Sequence, residues 1–189
     1  MIPNQEQFRL TVKQKQGQKL LARNKYVLLR GGSRSGKTFL IVRAIIIRAM
    51  KAPGTNHAIF RFRNNAIKGS VWKTFKEVMK ICWPEVPYKP SLSSLEITLP
   101  NGSVIDFCGL DDADRVDKIL GKEYSTLFFN EASQIPWPSV ETALSRLAEK
   151  SDLKLRAWFD LNPTTKHHWS YEWFFKHLKP GTREKVHNP

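Results

Sequence analysis

The first strong apolar signal along the chain is the short run Tyr26–Arg30, "YVLLR". A stretch of glycine, serine and charge follows, and apolar positions then recur at helical spacing from Lys37 to Lys51. The pattern predicts a buried strand, a tight loop, and a helix that Pro53-Gly54 terminates. Upstream, residues 8–25 are polar and basic with sparse apolar positions, which predicts a helix ending near Asn24. Downstream, "HAIFRFR" (57–63) alternates as a strand does, and Ile67, Val71, Phe75, Val78, Met79 and Cys82 recur at helical spacing up to Pro84.

The second half continues the alternation. "LEITLPNGSVIDFCG" (95–109) predicts two short strands around Asn101-Gly102, a strong local hairpin signal. "DDADRVDKIL" (111–120) reads as helical and "STLFFNEA" (125–132) as a buried strand. A helix follows Pro136 and Pro138, "LKLRAWFDLNP" (153–163) is another strand, and "HHWSYEWFFKHL" (167–178) a final aromatic helix. Strands alternating with helices imply an α/β fold with a mainly parallel sheet covered on both faces, to which the hairpin adds an antiparallel edge. With 189 residues and no repeat or linker, the chain reads as one domain.

Charge adds a direction. Lys and Arg number 31 against 17 Asp and Glu, a net charge of +14. Such an excess points to a polyanionic partner, nucleic acid being the commonest. Lys13, Lys15, Lys19, Arg23 and Lys25, and separately Arg61, Arg63 and Lys68, are candidates for a face that follows a phosphate backbone, although taken singly each reads better as a solvated surface charge than as a specific contact. Cys82 and Cys108 read as reduced core residues. The polar start and the arginines at 43 and 48 inside the longest apolar stretch predict a soluble protein with no membrane segment.

The chemistry lies in the loop after the first strand. Gly31-Gly32-Ser33-Arg34-Ser35-Gly36-Lys37-Thr38 satisfies G-x-x-x-x-G-K-[ST], with the required strand before it and helix after it. Glycines let successive backbone N–H groups turn inward onto phosphate oxygens, and the helix N-terminus favours the same negative charge. Lys37 is therefore expected to bridge the β- and γ-phosphates of ATP, and the Thr38 hydroxyl to bind Mg²⁺. A second acidic site is expected at the carboxyl end of "STLFFNEAS", where Asn130 and Glu131 follow an apolar strand. Glu131 is the candidate general base. Asn130 stands where many ATPases carry Asp; its carbonyl oxygen can accept from a metal-bound water, but without charge. At a third strand end, "WFDLNP" places Asn162 near a γ-phosphate, and Asp160, two residues earlier, shares its face.

Taken together and in this order, these three strand ends resemble the ATPase domain of the large terminase subunit of tailed bacteriophages. "PNQEQF" resembles that family's adenine-contacting segment, with Gln5 the better match and Gln7 the alternative; "RGGSRSGKT" resembles its Walker A, including an arginine inside the loop, here Arg34. "FRFRNNAIKGSVW" resembles the second-strand segment, "FCGLDDADRVDKILGKEYSTLFFNEAS" the run into Walker B, and "LNPTTKHHW" the coupling motif. The resemblance implies a P-loop NTPase of the additional-strand, catalytic-glutamate (ASCE) type, with the "LRAWFDLN" strand between the P-loop strand and the Walker B strand. It implies ATP hydrolysis driving double-stranded DNA into a procapsid in the host cytoplasm. The expected partners are a homo-oligomeric ring on the portal and a small terminase subunit.

Within that resemblance Arg34 is expected to link nucleotide state to DNA grip, and Arg115 and Lys122 are candidates for a finger acting on a neighbouring subunit. Only Glu172 and Glu184 among the acids follow Pro163, so the acidic cluster of the family's nuclease domain is not expected here. A RecA-like helicase or another DNA-dependent P-loop ATPase is the alternative reading. His167 and His168 read as helix-start residues rather than metal ligands, and the six tryptophans as core.

Overall fold

The computed structural model describes residues 9–111, 116, 119–182 and 184–186. Gln5 and Gln7, Arg115 and most of the 111–120 helix lie outside the described residues. A seven-stranded sheet runs in the order β1-β7-β6-β2-β5-β4-β3. Its strands are β1 (Tyr26–Arg30), β2 (Asn56–Arg61), β3 (Lys89–Ser91), β4 (Glu96–Thr98), β5 (Val104–Gly109), β6 (Thr126–Phe129) and β7 (Arg156–Leu161). The five strands from β1 to β5 in that order pair in parallel, and β4 and β3 add an antiparallel edge. The β7 strand does lie between the P-loop strand and the Walker B strand.

Each helix has a local cause. In α1 (Val12–Arg23), Thr11 Oγ1 accepts from the Gln14 N–H at 3.2 Å while Gln14 Oε1 accepts from the Thr11 N–H at 3.0 Å, a complete capping box. Helix α2 (Lys37–Lys51) buries Leu40, Ile41, Val42, Ile45, Ile46 and Ala49. Helix α3 (Val71–Cys82) turns Val71, Phe75, Val78 and Met79 onto the same core. Helix α4 (Trp137–Leu144) starts with Pro138 in its first turn, where a missing N–H leaves no bond unmade. Helix α5 (Trp169–Lys176) is capped by His168, whose Nδ1 accepts from the Ser170 N–H at 3.2 Å, as the helix-start reading expects.

Strand alternation divides the core in two. Ile59, Phe128 and Trp158 face α2 and α3, whereas Phe60, Phe129 and Phe159 face α4 and α5 with Trp169 and Trp173. Phe129 and Phe159 stack at 4.7 Å across adjacent strands. The central strands are buried on both faces, as a parallel sheet requires.

Two details depart from the sequence pattern. The hairpin turn is Leu99-Pro100-Asn101-Gly102, closed by the Gly102 N–H on the Leu99 carbonyl at 3.0 Å, with Gly102 alone at positive φ (82°). Asn101 is held instead by its side-chain amide on the Ala49 carbonyl at 2.8 Å, at the end of α2. Strand β3, three residues containing Pro90 and Lys89, is too short and polar to show a period; proline is tolerated there because it is an edge.

Candidate functional site

Four chain segments meet at the carboxyl ends of neighbouring parallel strands: the loop after β1, the ends of β7 and β6, and the end of β2. Placing β7 between β1 and β6 brings the P-loop and the "NEA" segment to opposite sides of one strand end. The Gly31 N–H still bonds the Leu161 carbonyl at 3.3 Å, so the loop departs only after that residue.

The loop is built by its backbone. Gly36 is at φ 78° and leads into α2, a conformation glycine adopts at little cost. Arg34 is also left-handed, at φ 60°, and its side chain is exposed. Lys37 folds back over the loop, its ammonium donating to the Gly31 carbonyl at 2.9 Å, the Gly32 carbonyl at 2.8 Å and Ser35 Oγ at 3.1 Å. All three of its donors are thus engaged by the loop it belongs to. Asn162, exposed at the end of β7, donates to Ser33 Oγ at 3.4 Å. A cavity of about 490 Å³ opens between the loop and α1, lined by Gln14, Gly17, Leu29, Arg30, Gly32 and Lys37 among others.

Across the strand ends lies a connected polar network. Thr38 Oγ1 donates to Asp160 Oδ2 at 2.5 Å, the Asn130 amide donates to both Asp160 oxygens at 3.0 and 3.1 Å, and the Glu131 N–H donates to Asp160 Oδ1 at 2.7 Å. Asp160 is buried, 2% exposed. Burial pushes its carboxyl above the usual carboxylate range, against the opposing pull of these hydrogen bonds and of the Lys37 charge. Glu131 sits at φ 51°, left-handed backbone at a candidate catalytic position, held by that N–H bond.

Arg61, from the end of β2, completes the network. Its Nη1 donates to Asn130 Oδ1 at 2.5 Å and its Nη2 to Glu131 Oε2 at 2.7 Å. Gln134 donates to the same Oε2 at 3.0 Å, so among the described residues Oε1 has no partner.

This geometry corrects part of the sequence reading. Asn130 does not offer its carbonyl oxygen toward the P-loop. A guanidinium only donates, so Arg61 fixes the amide orientation, and the NH₂ group faces Thr38 (3.4 Å) and Asp160. Glu131, the other expected metal ligand at this strand end, has its Oε2 paired with Arg61. Arg61 itself is no surface charge, its side chain being only 14% exposed. Lys122, a finger candidate, is tied to Asp106 at 3.0 Å and lies within 3.9 Å of Glu96. The sequence put Asp160 on the strand face of Asn162 and Arg61 among candidate DNA-backbone contacts, but tied neither to Thr38, Asn130 and Glu131. The available signal for Asp160 was a charge inside the otherwise apolar run "AWFDL"; Arg61 shows none, because its partners lie 69 and 70 residues away.

Strand order, loop and polar strand ends together define an α/β P-loop NTPase fold. The profile of the phage terminase large subunit family matches residues 23–188, and the chain belongs to that family. Among solved structures, the fold is similar to the large terminase of the thermophilic bacteriophage D6E, with a TM-score of 0.78 at 20% identity over 90% of this chain and 43% of that one. The D6E enzyme in complex with ADP matches with a TM-score of 0.74 at 19% identity, over 95% of this chain and 45% of that one. The ATPase domain of the Thermus phage P74-26 large terminase matches with a TM-score of 0.63 at 18% identity, over 99% and 83%. The chain thus spans less than half the length of the D6E terminase. No curated protein sequence matches it.

Proposed function

We propose that this chain hydrolyses ATP to drive double-stranded DNA into a procapsid, acting as the ATPase part of a genome-packaging motor. The observation that carries the reading is the meeting of the Gly31–Thr38 loop with Glu131 across the end of β7. Family membership supports it over a helicase, and the D6E enzyme has been solved with ADP and with ATP-gamma-S.

In this reading the loop amides of Gly31, Gly32, Ser33, Arg34, Ser35 and Gly36 cradle the phosphates, and Lys37 exchanges loop carbonyls for β- and γ-phosphate oxygens. The exchange is favourable because a charge-assisted bond to phosphate is stronger than one to a neutral carbonyl. Asn162, already at Ser33, is within reach of the same phosphates. Gln5 is the proposed adenine contact. Glu131 Oε1, which has no partner among the described residues, accepts the proton of the attacking water while Arg61 and Gln134 hold Oε2.

The residues present fit Mg²⁺. A hard cation takes oxygen ligands, and the site offers the Thr38 hydroxyl beside a buried carboxylate. Bound there with ATP, Mg²⁺ would neutralise charge on the phosphates. Thr38 is the P-loop ligand. Among the described residues there is no cluster of three His, Cys, Asp or Glu for any other metal and no helix long and apolar enough to cross a membrane.

The net charge of +14 suits a DNA backbone grip that is insensitive to sequence and steeply salt-dependent. A ring of copies on a portal, with a small terminase subunit, in the host cytoplasm, completes the proposal. Phosphate release from ATP by the wild type and Glu131→Ala tests it, with and without double-stranded DNA. Hydrolysis that DNA stimulates and Glu131→Ala abolishes is the expected result. Undiminished hydrolysis in the variant removes Glu131 from the mechanism. A turnover per subunit that stays constant on dilution to monomer excludes a finger supplied by a neighbour.

A further inference from the structure

The end of β6, where an acid is expected, carries Asn130, and Arg61 locks its amide so that hydrogen atoms, not oxygen, face the P-loop. The end of the neighbouring strand β7 carries Asp160, whose Oδ2 is bonded to the P-loop hydroxyl of Thr38. Among the described residues, every group that hydrogen-bonds Asp160 is neutral: a hydroxyl, an amide side chain and a backbone N–H. Among the described residues no Lys or Arg forms an ion pair with it, and Lys37 acts on it only at a distance. A carboxylate 2% exposed with no paired cation is costly to bury, and such groups are normally paired or bound to a metal. Four hydrogen bonds from three neutral donors fill both oxygens of Asp160 and leave its charge without a counter-ion.

Resting on the reading of the loop as an ATP site, we propose that Asp160 supplies the carboxylate for the Mg²⁺ that accompanies the nucleotide. The acid has moved one strand sideways, from β6 to β7. The two positions are adjacent across parallel strands, since Phe129 pairs with Phe159, so the shift keeps the carboxylate beside Thr38. It also explains the amide at 130. Two carboxylates in this contact would repel, whereas Asn130 donates two hydrogen bonds that orient the one that remains. Mg²⁺ keeps most of its waters and takes few protein ligands, so one hydroxyl and one carboxylate suffice.

The test is the affinity of the non-hydrolysable analogue AMP-PNP in EDTA and in Mg²⁺, for wild type and Asp160→Asn, with melting temperatures of the nucleotide-free proteins. Wild type should bind more tightly in Mg²⁺. Asp160→Asn should bind equally in EDTA but lose roughly ten- to a hundred-fold of the Mg²⁺ gain. Its melting temperature without nucleotide shows that it is folded, the charge removed offsetting the acceptor oxygen lost. A folded Asp160→Asn with the full Mg²⁺ gain overturns the proposal. Asp160→Cys provides a second arm: a thiolate prefers softer metals, so Cd²⁺ should restore the gain that Mg²⁺ no longer gives. A Mg²⁺ response equal to that of wild type in this variant likewise overturns it. Failure of the wild type to bind AMP-PNP under any condition overturns instead the nucleotide reading beneath it.

Discussion

Arg61 donates to Glu131 across the end of the sheet, Nη2 to Oε2 at 2.7 Å, while its other arm holds Asn130 at 2.5 Å. One guanidinium therefore sets the orientation of both side chains at the end of β6. Its planar fork suits this, and a lysine, as a point charge, does not. Arg61→Ala should lower kcat for ATP about ten-fold, less than the roughly 10²–10⁴ that a general base contributes because Glu131 stays in place, and leave KM nearly unchanged because Arg61 does not touch the loop. Arg61→Lys should fall between. Steady-state kinetics check this; an unchanged kcat in Arg61→Ala would show that Glu131 needs no such anchor.

Gly109 ends β5 against Asn64, three residues beyond Arg61. A Cβ there would fall on the Asn64 Cβ and come within 2.7 Å of its Cα and 2.9 Å of its N, so backbone rather than a flexible side-chain tip must move. Gly109→Ala should destabilise by about 1–3 kcal/mol. Denaturant unfolding measures it, and hydrolysis should fall as well if the 61–64 segment shifts.

His57 lies wholly buried on β2, bonded to Thr55 Oγ1 at 3.0 Å. Burial, aided by the Arg48 charge, lowers its pKa from 6.5 to about 3. The folded state keeps the imidazole neutral, whereas the unfolded chain takes up a proton below about pH 6.5. Its contribution is therefore complete above that pH and declines as the pH falls toward 3. At pH 5 the loss is about 2 kcal/mol. His57→Asn should flatten the dependence of unfolding free energy on pH between 7 and 5; an equally steep profile would assign it to other groups.

Arg34 occupies left-handed backbone that glycine adopts without strain. Arg34→Gly should raise stability by about 1 kcal/mol, and Arg34→Ala should not. Both should reduce hydrolysis by roughly ten-fold or more if the guanidinium engages phosphate, against the 10³–10⁵ typical of arginine fingers. Comparing melting temperature with phosphate release separates the backbone effect from the charge. Full activity in both variants would leave Arg34 outside the chemistry.

Much of the fold was legible because its determinants are local. Lys37–Lys51 declares itself by period and by the breaking Pro53-Gly54, and the observed helix has those bounds. The strands at 26–30, 126–129 and 156–161 are short apolar runs between turn residues, and all three form. The edge strand at 89–91 was not legible: three residues carry no period, and its pairing with β4 is a long-range event. The hairpin was placed correctly, but the hold of Asn101 on the end of α2, beside its own-loop bond from the Ser103 N–H, was not legible.

What the chain determined unaided is the set of pieces: a glycine-rich loop between strand and helix, and polar residues waiting at the ends of apolar strands. Backbone conformation and hydrophobic period are properties of neighbouring residues, so they survive in one dimension. Which polar end meets which was decided only by folding. Asp160 reaches Thr38 because β7 inserts between β1 and β6, and Asn130 turns its oxygen away because Arg61 arrives from β2. Those are contacts between residues 69 to 122 positions apart, set by strand order and by the geometry of donors and acceptors, and no local pattern records them.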